Sequence, residues 1–489
     1  MQNRSLAAIG LLLLAAAVSA AARLWLLLER PLWFDELFTV WAARLPFSDL
    51  VAALRFDSGP PGFYLIEKPF VLLSEKLSDG APLVRAVPFL ATLTLFAATR
   101  TLPKGPARAT LILLLSTSTL LNLYAAEARP YALLAALDLA LFLLALRGAE
   151  TPARLAAIVG LAVAALSTHY LAIIALAALL LLCATARRWR SCAALAAGGA
   201  AFLPWLPVLR AQPVEAIAWM RETPGSALGW FFSAFGGVGR VPASFGPEPP
   251  FTLVFGAIFT GAVLLMLLAS RARTDPETRR ALAFVTLVLG GSLLASLWRP
   301  IAFPGRTEMA VLPVFLWAVA RAAADRRAVR WAAGAAAVLG LLATASFLRS
   351  PHAEPPYSAV AASLARVARP GDVVVAAASF YLPARLASER GELPASVRAM
   401  PEELGRHPGW FVPALPGPAE ERALAEALGQ LRPGGRLFVA LPPAYATAGL
   451  RRLLEESGGR TRALLQTPDA LVILRTAEPQ RSAAPPAGP

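Results

Sequence analysis

The sequence carries carboxylates, arginines and a histidine at a few points where apolar runs end. Asp35 and Glu36 stand in PLWFDELFTVWAARL (31–45), directly after a long apolar run and among Trp33, Phe34, Leu37 and Phe38. Carboxylates at an apolar boundary are poorly solvated, which suits them to take a proton from an attacking hydroxyl. Asp35 also has the type and place of a helix cap, and the stretch alone leaves both roles open. A further carboxylate, Asp57, opens DSGPPGFY (57–64), where two prolines fix a turn.

A second point is YAAEARPYA (124–132), with Glu127, Arg129 and Pro130. Pro130 pushes Arg129 out of the helical region and suits the start of the next helix. That helix would present free N–H groups beside a guanidinium, an anion site by construction. Arginine also meets phosphate in a forked, two-bond way. Tyr124, Glu127 and Tyr131 would share a face if the turn is compact. The alternative is a surface pair between Glu127 and Arg129 worth under ~1 kcal/mol. His169 and Tyr170, then Arg299 and Arg306, occupy two further breaks between apolar runs. Asp138 lies within an apolar run. An ionisable group at that depth is costly, and its expected role is as a structural partner between helices.

The elements that must position these groups are membrane spans. The chain is 57% hydrophobic and only 16% charged, against roughly 25% charge in soluble domains. Runs able to cross a bilayer fall at Leu6–Leu28, Leu83–Arg100, Ala109–Leu123, Tyr131–Leu146, Leu155–Thr168, Leu171–Ala184, Cys192–Leu209, Phe251–Ala269, Ala281–Trp298, Glu308–Ala320 and Trp331–Leu348. Leu6–Ala22 resembles a signal peptide, but Leu24–Leu28 carries the apolar run further. The net charge of +15 is read as arginine retained on cytoplasmic loops, not as a nucleic-acid surface. With the N-terminus inside, the inner pieces hold 17 Lys and Arg in 50 residues and the outer pieces 11 in 114. That alternation puts Asp35, Glu127, Arg129, His169, Arg306 and the C-terminal region on the outer side.

The fold expected is therefore a polytopic α-helical membrane protein of about eleven spans, with a C-terminal soluble α/β domain. Residues 1–348 form the membrane domain, with outer loops 29–82 and 210–250. In the first loop, Asp49–Phe56 reads as a helix capped by Ser48. Phe63–Leu73 reads as an apolar surface helix broken by Glu67, Lys68 and Pro69. Residues 349–476 form the α/β domain, since RPGDVVVAAA (369–378) and RPGGRLFVALPP (432–443) read as turn then strand, with helical stretches and a last strand after them. Residues 477–489 form a disordered Pro/Ala-rich tail. No phosphate-binding glycine fingerprint stands in the α/β domain, and neither the two cysteines nor the three histidines have metal-site spacing.

An aromatic-flanked Asp-Glu after the first span, Pro-Pro-x-x-Tyr before an apolar helix, and Glu-x-Arg-x-Tyr at the second outer turn together resemble the GT-C superfamily of glycosyltransferases. The closer similarity is to the protein O-mannosyltransferase and lipid A aminoarabinose transferase branch. The resemblance covers Leu6 to about Leu348 in topology, and its motifs concentrate in the first 170 residues. It implies an inverting transfer of a sugar from a polyprenyl-phosphate carrier to an acceptor hydroxyl of a lipid, glycan or protein, at the outer face of the inner (plasma) membrane. Asp35 would be the base and Glu36 would orient it. Arg129 and Arg306 would hold the carrier phosphate. Glu127, Tyr131, Asp57, His169 and Tyr170 would position substrate, with Thr168-His169-Tyr170 matching a bacterial motif. The resemblance leaves room for a divalent metal, with no ligand set assigned. Two departures stand out: Gly59 where relatives carry His before Pro-Pro, and Thr307 where relatives carry Tyr after the arginine. The rival class is a transporter or flippase of a lipid-linked saccharide. Its usual marks are internal repeats and midplane charges, and here no repeat is evident and only Asp138 lies deep. A non-catalytic scaffold is the other alternative.

Overall fold

A computed structural model of the chain describes residues 2–77, 81–218, 220, 224–237, 254, 256–261, 264, 275–349, 356–409, 417–431, 435–456, 460–468 and 470–476. The expected span at Phe251–Ala269 and the latter part of the loop 210–250 fall largely outside these residues, as does the whole tail 477–489. The chain divides into two compact units. One holds the chain up to Leu32 together with Ala42–Ala353, and the other joins Trp33–Trp41 to the residues from Glu354 onward.

The first unit is helical. Its N-terminal part contains α1 (Gln2–Glu29), α2 (Phe34–Arg44, whose first turns belong to the other unit), α3 (Phe47–Leu54), α4 (Gly62–Ser74), α5 (Ala86–Thr94), α6 (Pro106–Thr117) and α7 (Thr119–Tyr124). Then come α8 (Tyr131–Leu146), α9 (Pro152–Thr168), α10 (Leu171–Thr185), α11 (Trp189–Ala200), α12 (Leu206–Ala211) and α13 (Pro224–Phe235). The last three are α14 (Pro276–Ala295), α15 (Leu312–Ala322) and α16 (Arg327–Arg349). Among the described residues, Pro82–Thr101, Trp189–Ala211, Pro276–Ala295 and Arg327–Arg349 are helices long and apolar enough to cross a membrane. Shorter apolar helices include α6, α8, α9, α10 and α15. Helix α8 lies at the centre, packed on α5, α9, α10 and α15.

Two expectations for the first loop need correction. Ser48 is not the cap of α3: Pro46, extended at φ −55 and ψ 153, holds that place, and the Ser48 hydroxyl turns instead to Asp49 (3.2 Å). Nor do Glu67, Lys68 and Pro69 break the next helix. Helix α4 runs through Pro69, while Glu67 is fully buried and Lys68 donates to the Leu45 carbonyl (2.8 Å). Gly62 lets α4 begin hard against α9, since a Cβ there would lie 2.5 Å from the Ser167 carbonyl oxygen.

Buried arginines join the helices. Arg23 of α1 donates to Asn122 (2.8 Å), to the Leu115 carbonyl (3.0 Å) and to Thr92 (3.4 Å), linking α1 to α5, α6 and α7. Arg85, fully buried, closes the end of α1: its guanidinium donates to the carbonyls of Leu27 (3.1 Å), Arg30 (2.8 Å) and Pro31 (3.0 Å). Arg30 in turn donates to the Ala126 carbonyl (2.7 Å). A relay of guanidiniums thus runs from the foot of α5, through the exit of α1, to the turn before α8. At the other end of α8, Arg147 pairs with Glu277 (2.9 Å) and Arg321 with Asp275 (2.6 Å), both guanidiniums lying over Trp317.

In the second unit, α17 (Pro356–Val367), α18 (Tyr381–Glu389), α19 (Pro418–Gly429) and α20 (Ala448–Glu456) accompany five strands. These are β1 (Asp372–Ala377), β2 (Ala395–Met400), β3 (Arg436–Leu441), β4 (Arg460–Gln466) and β5 (Leu471–Thr476), in the order β2-β1-β3-β5-β4. β1 runs parallel to β2 and β3, while β5 runs antiparallel to β3 and β4. One face buries Val375, Leu437, Val439 and Ile473 against Leu424, Leu450 and Leu454 of α19 and α20. The unit is mixed α/β, in which an antiparallel edge follows the parallel pair.

Arg85→Met keeps the volume of the side chain but strips donors from the carbonyls at the α1 exit. The expected cost is about 1–3 kcal/mol, read as a lower thermal midpoint of the detergent-solubilised protein. Arg85→Lys should recover only part, because one ammonium cannot span the carbonyls a fork reaches. An unchanged midpoint in Arg85→Met would contradict the closing role.

Candidate functional site

The turn before α8 is compact. The Arg129 amide donates to the Glu127 carbonyl (2.7 Å), and Pro130 stands at the cap position so that α8 begins at Tyr131. Leu134 N–H returns to the Pro130 carbonyl (2.9 Å). The compactness brings Tyr124 and Tyr131 edge to face, with ring centroids 5.1 Å apart. Glu127 is 1% exposed, so the surface-pair alternative fails: this carboxylate lies inside the unit.

Two other turns meet this one. After α9 the chain extends at His169 (φ −160, ψ 142), which lays the imidazole against Tyr131 (5.3 Å). Before α15, the turn at Phe303–Thr307 is held by Thr307, whose hydroxyl accepts from Phe303 N–H (2.9 Å), and by Glu308, which accepts from Gly305 N–H (2.9 Å). Gly305, at φ 85, allows the reversal. The Arg306 guanidinium then lies over both Tyr131 (5.4 Å) and Phe303 (5.3 Å). Tyr131 is the common wall, with Arg306, His169 and Tyr124 all against it.

The electrostatics agree with this convergence. His169 is pulled down to about 3, first by burial and then by the charges of Arg129 and Arg306. Its Nδ1 accepts from the Leu171 amide (3.1 Å), so the neutral ring carries its proton on Nε2. Two cations from distant parts of the sequence therefore act on one imidazole. Glu127 and Glu308, both buried, share the field that surrounds Tyr124 with Arg306.

Asp57 and Tyr170 belong to a neighbouring cluster rather than to this one. Tyr64 donates to Asp57 (3.3 Å), Trp205 Nε1 donates to the Tyr170 hydroxyl (2.8 Å), and Gln212 donates to the carbonyls of Leu54 (2.7 Å) and Gly59 (3.1 Å). Burial pushes Tyr170 up to about 12, and Asp57 adds to the shift. His169 and Tyr170, adjacent in sequence, thus serve two different clusters. Trp205 and Gln212 carried no signal in the sequence beyond type and were missed, while Tyr64 is the tyrosine of the Pro-Pro-x-x-Tyr motif, to which no site role was given. Arg85 did carry one, as a charge at the edge of an apolar span. Asp138, expected as a structural partner, is fully buried, and its carboxylate has no hydrogen-bond partner among the described residues. Arg299, by contrast, is exposed.

Asp35 and Glu36 belong to the second unit. Phe34, Phe38 and Trp41 repeat at i, i+4 and i+7 and form one face of α2. Phe34 packs on Tyr357 of α17 (6.1 Å), and Phe38 and Trp41 pack on His407 (5.3 and 6.3 Å). Glu36, fully buried, accepts from the Trp33 N–H (3.2 Å), the back-bond of a capped helix start. The cap expected of Asp35 is thus made by its neighbour. Asp35 is 3% exposed, and its backbone carbonyl accepts from the Thr39 hydroxyl (3.0 Å). Among the described residues no group of three His, Cys, Asp or Glu side chains gathers to hold a metal.

Helices long and apolar enough to cross a membrane, turns that converge at the start of α8, and a C-terminal sheet unit make up the fold. No protein-family profile matches the sequence, and no curated protein does. Among solved structures, ArnT from Cupriavidus metallidurans in the apo state shares the fold with a TM-score of 0.60 and 15% identity, over 97% of this chain and 100% of that one. The same protein bound to undecaprenyl phosphate gives a TM-score of 0.61 and 14% identity, over 96% and 99%. At that identity the likeness establishes the fold.

His169 generates a pH dependence. Its folded pKa of about 3 lies below its ordinary 6.5, so on acidification the unfolded chain takes the proton first. Stability should therefore fall as pH drops from about 6.5 toward 3, by no more than about 5 kcal/mol at the lower end. His169→Gln should flatten that part of the profile in thermal unfolding. A wild-type slope no steeper than the variant's would contradict the burial of a neutral imidazole between cations.

Proposed function

We propose that this chain is a multi-pass inner-membrane glycosyltransferase with about eleven spans and an extracytoplasmic C-terminal domain. It moves a sugar from a polyprenyl-phosphate carrier to an acceptor hydroxyl, with inversion. The observation that carries the reading is the meeting of Arg129 and Arg306, from separate turns, at Tyr131 and His169 where α8 begins. A polyprenyl tail stays in lipid while its phosphate stays at the interface, so its enzyme needs cations at the rim of an apolar helix bundle. The shared fold with ArnT, which has been solved with undecaprenyl phosphate bound, supports the same carrier chemistry.

In the proposed reaction Asp35 takes the acceptor's proton as the acceptor oxygen bonds to the anomeric carbon. The bond from that carbon to the phosphate oxygen breaks, and its electron pair leaves with the polyprenyl phosphate. Arg129 and Arg306 receive the added negative charge, together with the first N–H groups of α8. Glu127 holds Arg129 in place. Glu36, by capping α2, fixes the turn on which Asp35 stands. Tyr131 and His169 wall the phosphate, while Asp57 and Tyr170 hold substrate hydroxyls beside it. Lipid, glycan and protein hydroxyls all fit the acceptor's chemistry.

The test uses the purified full-length chain, a panel of labelled undecaprenyl-phosphate sugars and a membrane extract as acceptor. Asp35→Asn should lower transfer by about 10²–10⁴-fold with folding and insertion unchanged, and full activity in that variant would sink the base assignment. Arg129→Ala should raise the KM for the donor by roughly tenfold or more, the weight of one charged hydrogen bond. An unaltered dependence on donor concentration would remove Arg129 from the phosphate site.

A further inference from the structure

One buried polar group at this site has no part in the reading above. Tyr124 ends α7 and is 1% exposed, with its ring 5.1 Å from Tyr131. Its hydroxyl has no hydrogen-bond partner among the described residues. Buried hydroxyls are nearly always paired, because an unpaired one loses its water without replacement. The surroundings say what would pair it. Glu127, Arg306 and Glu308 all act on Tyr124, and Arg306 lies on the other ring of the same tyrosine pair. A phenol is a donor to oxygen, and its strongest partner is an oxyanion. In this cluster the cations Arg129 and Arg306 draw an anion toward Tyr131, against which Tyr124 packs.

We propose that Tyr124 is a ligand-binding residue whose hydroxyl donates to an anionic oxygen of the polyprenyl carrier's phosphate. This rests on the reading of Arg129 and Arg306 as the phosphate cations. It adds a neutral donor to them, so the phosphate is held by a fork of charges and by one uncharged hydrogen bond. A neutral donor suits a site that must also release the carrier, since it adds direction without adding net charge.

Tyr124→Phe removes the hydroxyl alone, and the proposal separates two readouts. The free protein should unfold at the same temperature as wild type or slightly above it, since nothing in the chain loses a partner. Binding of undecaprenyl phosphate to the full-length chain in detergent should weaken by about tenfold, while binding of uncharged undecaprenol stays unchanged. A lowered midpoint in the free variant would make the hydroxyl structural and overturn the proposal. So would undecaprenyl phosphate binding as tight as wild type, or an equal loss toward undecaprenol. Unchanged binding of undecaprenyl phosphate with slower use of a sugar-loaded donor would move the hydroxyl to the sugar and overturn it as well. Failure of the wild-type chain to bind undecaprenyl phosphate would instead overturn the phosphate reading itself.

Discussion

A guanidinium in an apolar wall must find oxygens for its donors, and the first unit is organised around that requirement. Arg23 satisfies it inside the bundle, on Asn122, Thr92 and the Leu115 carbonyl. Arg85 satisfies it at the exit of α1, where carbonyls have run out of helical partners. Arg30 satisfies part of it on Ala126, one residue before Glu127. Each arginine therefore fixes backbone as well as side chain. The chain leaves α1 along one path, and the turn bearing Glu127 and Arg129 is gripped from beneath. The position of Arg129 thus follows from arginines that lie outside the proposed chemistry.

Helix α2 follows a different logic. Its apolar face is set by Phe34, Phe38 and Trp41, which meet Tyr357 and His407 of the C-terminal unit. Successive residues of a helix turn by about 100°, so fixing that face also fixes where Asp35 stands around the axis. The proposed base is thus oriented by aromatic packing on a domain far along the sequence. His407 is 7% exposed and is a packing residue of this kind.

Much of this was legible in the sequence, for identifiable reasons. Pro130 after Arg129 marked the start of α8, because proline both suits a first turn and restricts its predecessor. The runs DVVVAA and RLFVAL became β1 and β3, since continuous apolar β-formers between turns have few alternatives. The edge strands β2 and β4 were not legible: ASVRAM and RTRALLQ face partly outward and lack an apolar period. The site divided in the same way. Tyr131, His169 and Arg306, which the structure brings together, and Arg129, whose charge acts on the imidazole, stood out in the sequence because polar residues at the ends of apolar runs are few. The separation of Tyr170 from His169 was not found, because it depends on one extended residue and on Trp205 reaching across. Long-range contacts of that kind have no local signature.

The signs of the buried charges bear on the proposed chemistry. Glu127 and Glu308 lie buried in the cluster that also holds Arg306, so carboxyl groups and a guanidinium share one desolvated site. A sugar-loaded carrier phosphate bears one negative charge, and cleavage of its bond to the sugar adds more. Arg306, already held by its turn and by stacking on Tyr131, need not reorganise as that charge grows in the proposed reaction. An arginine placed as proposed interacts more strongly with the departing phosphate than with the loaded donor, and a difference of that kind is what lowers a barrier.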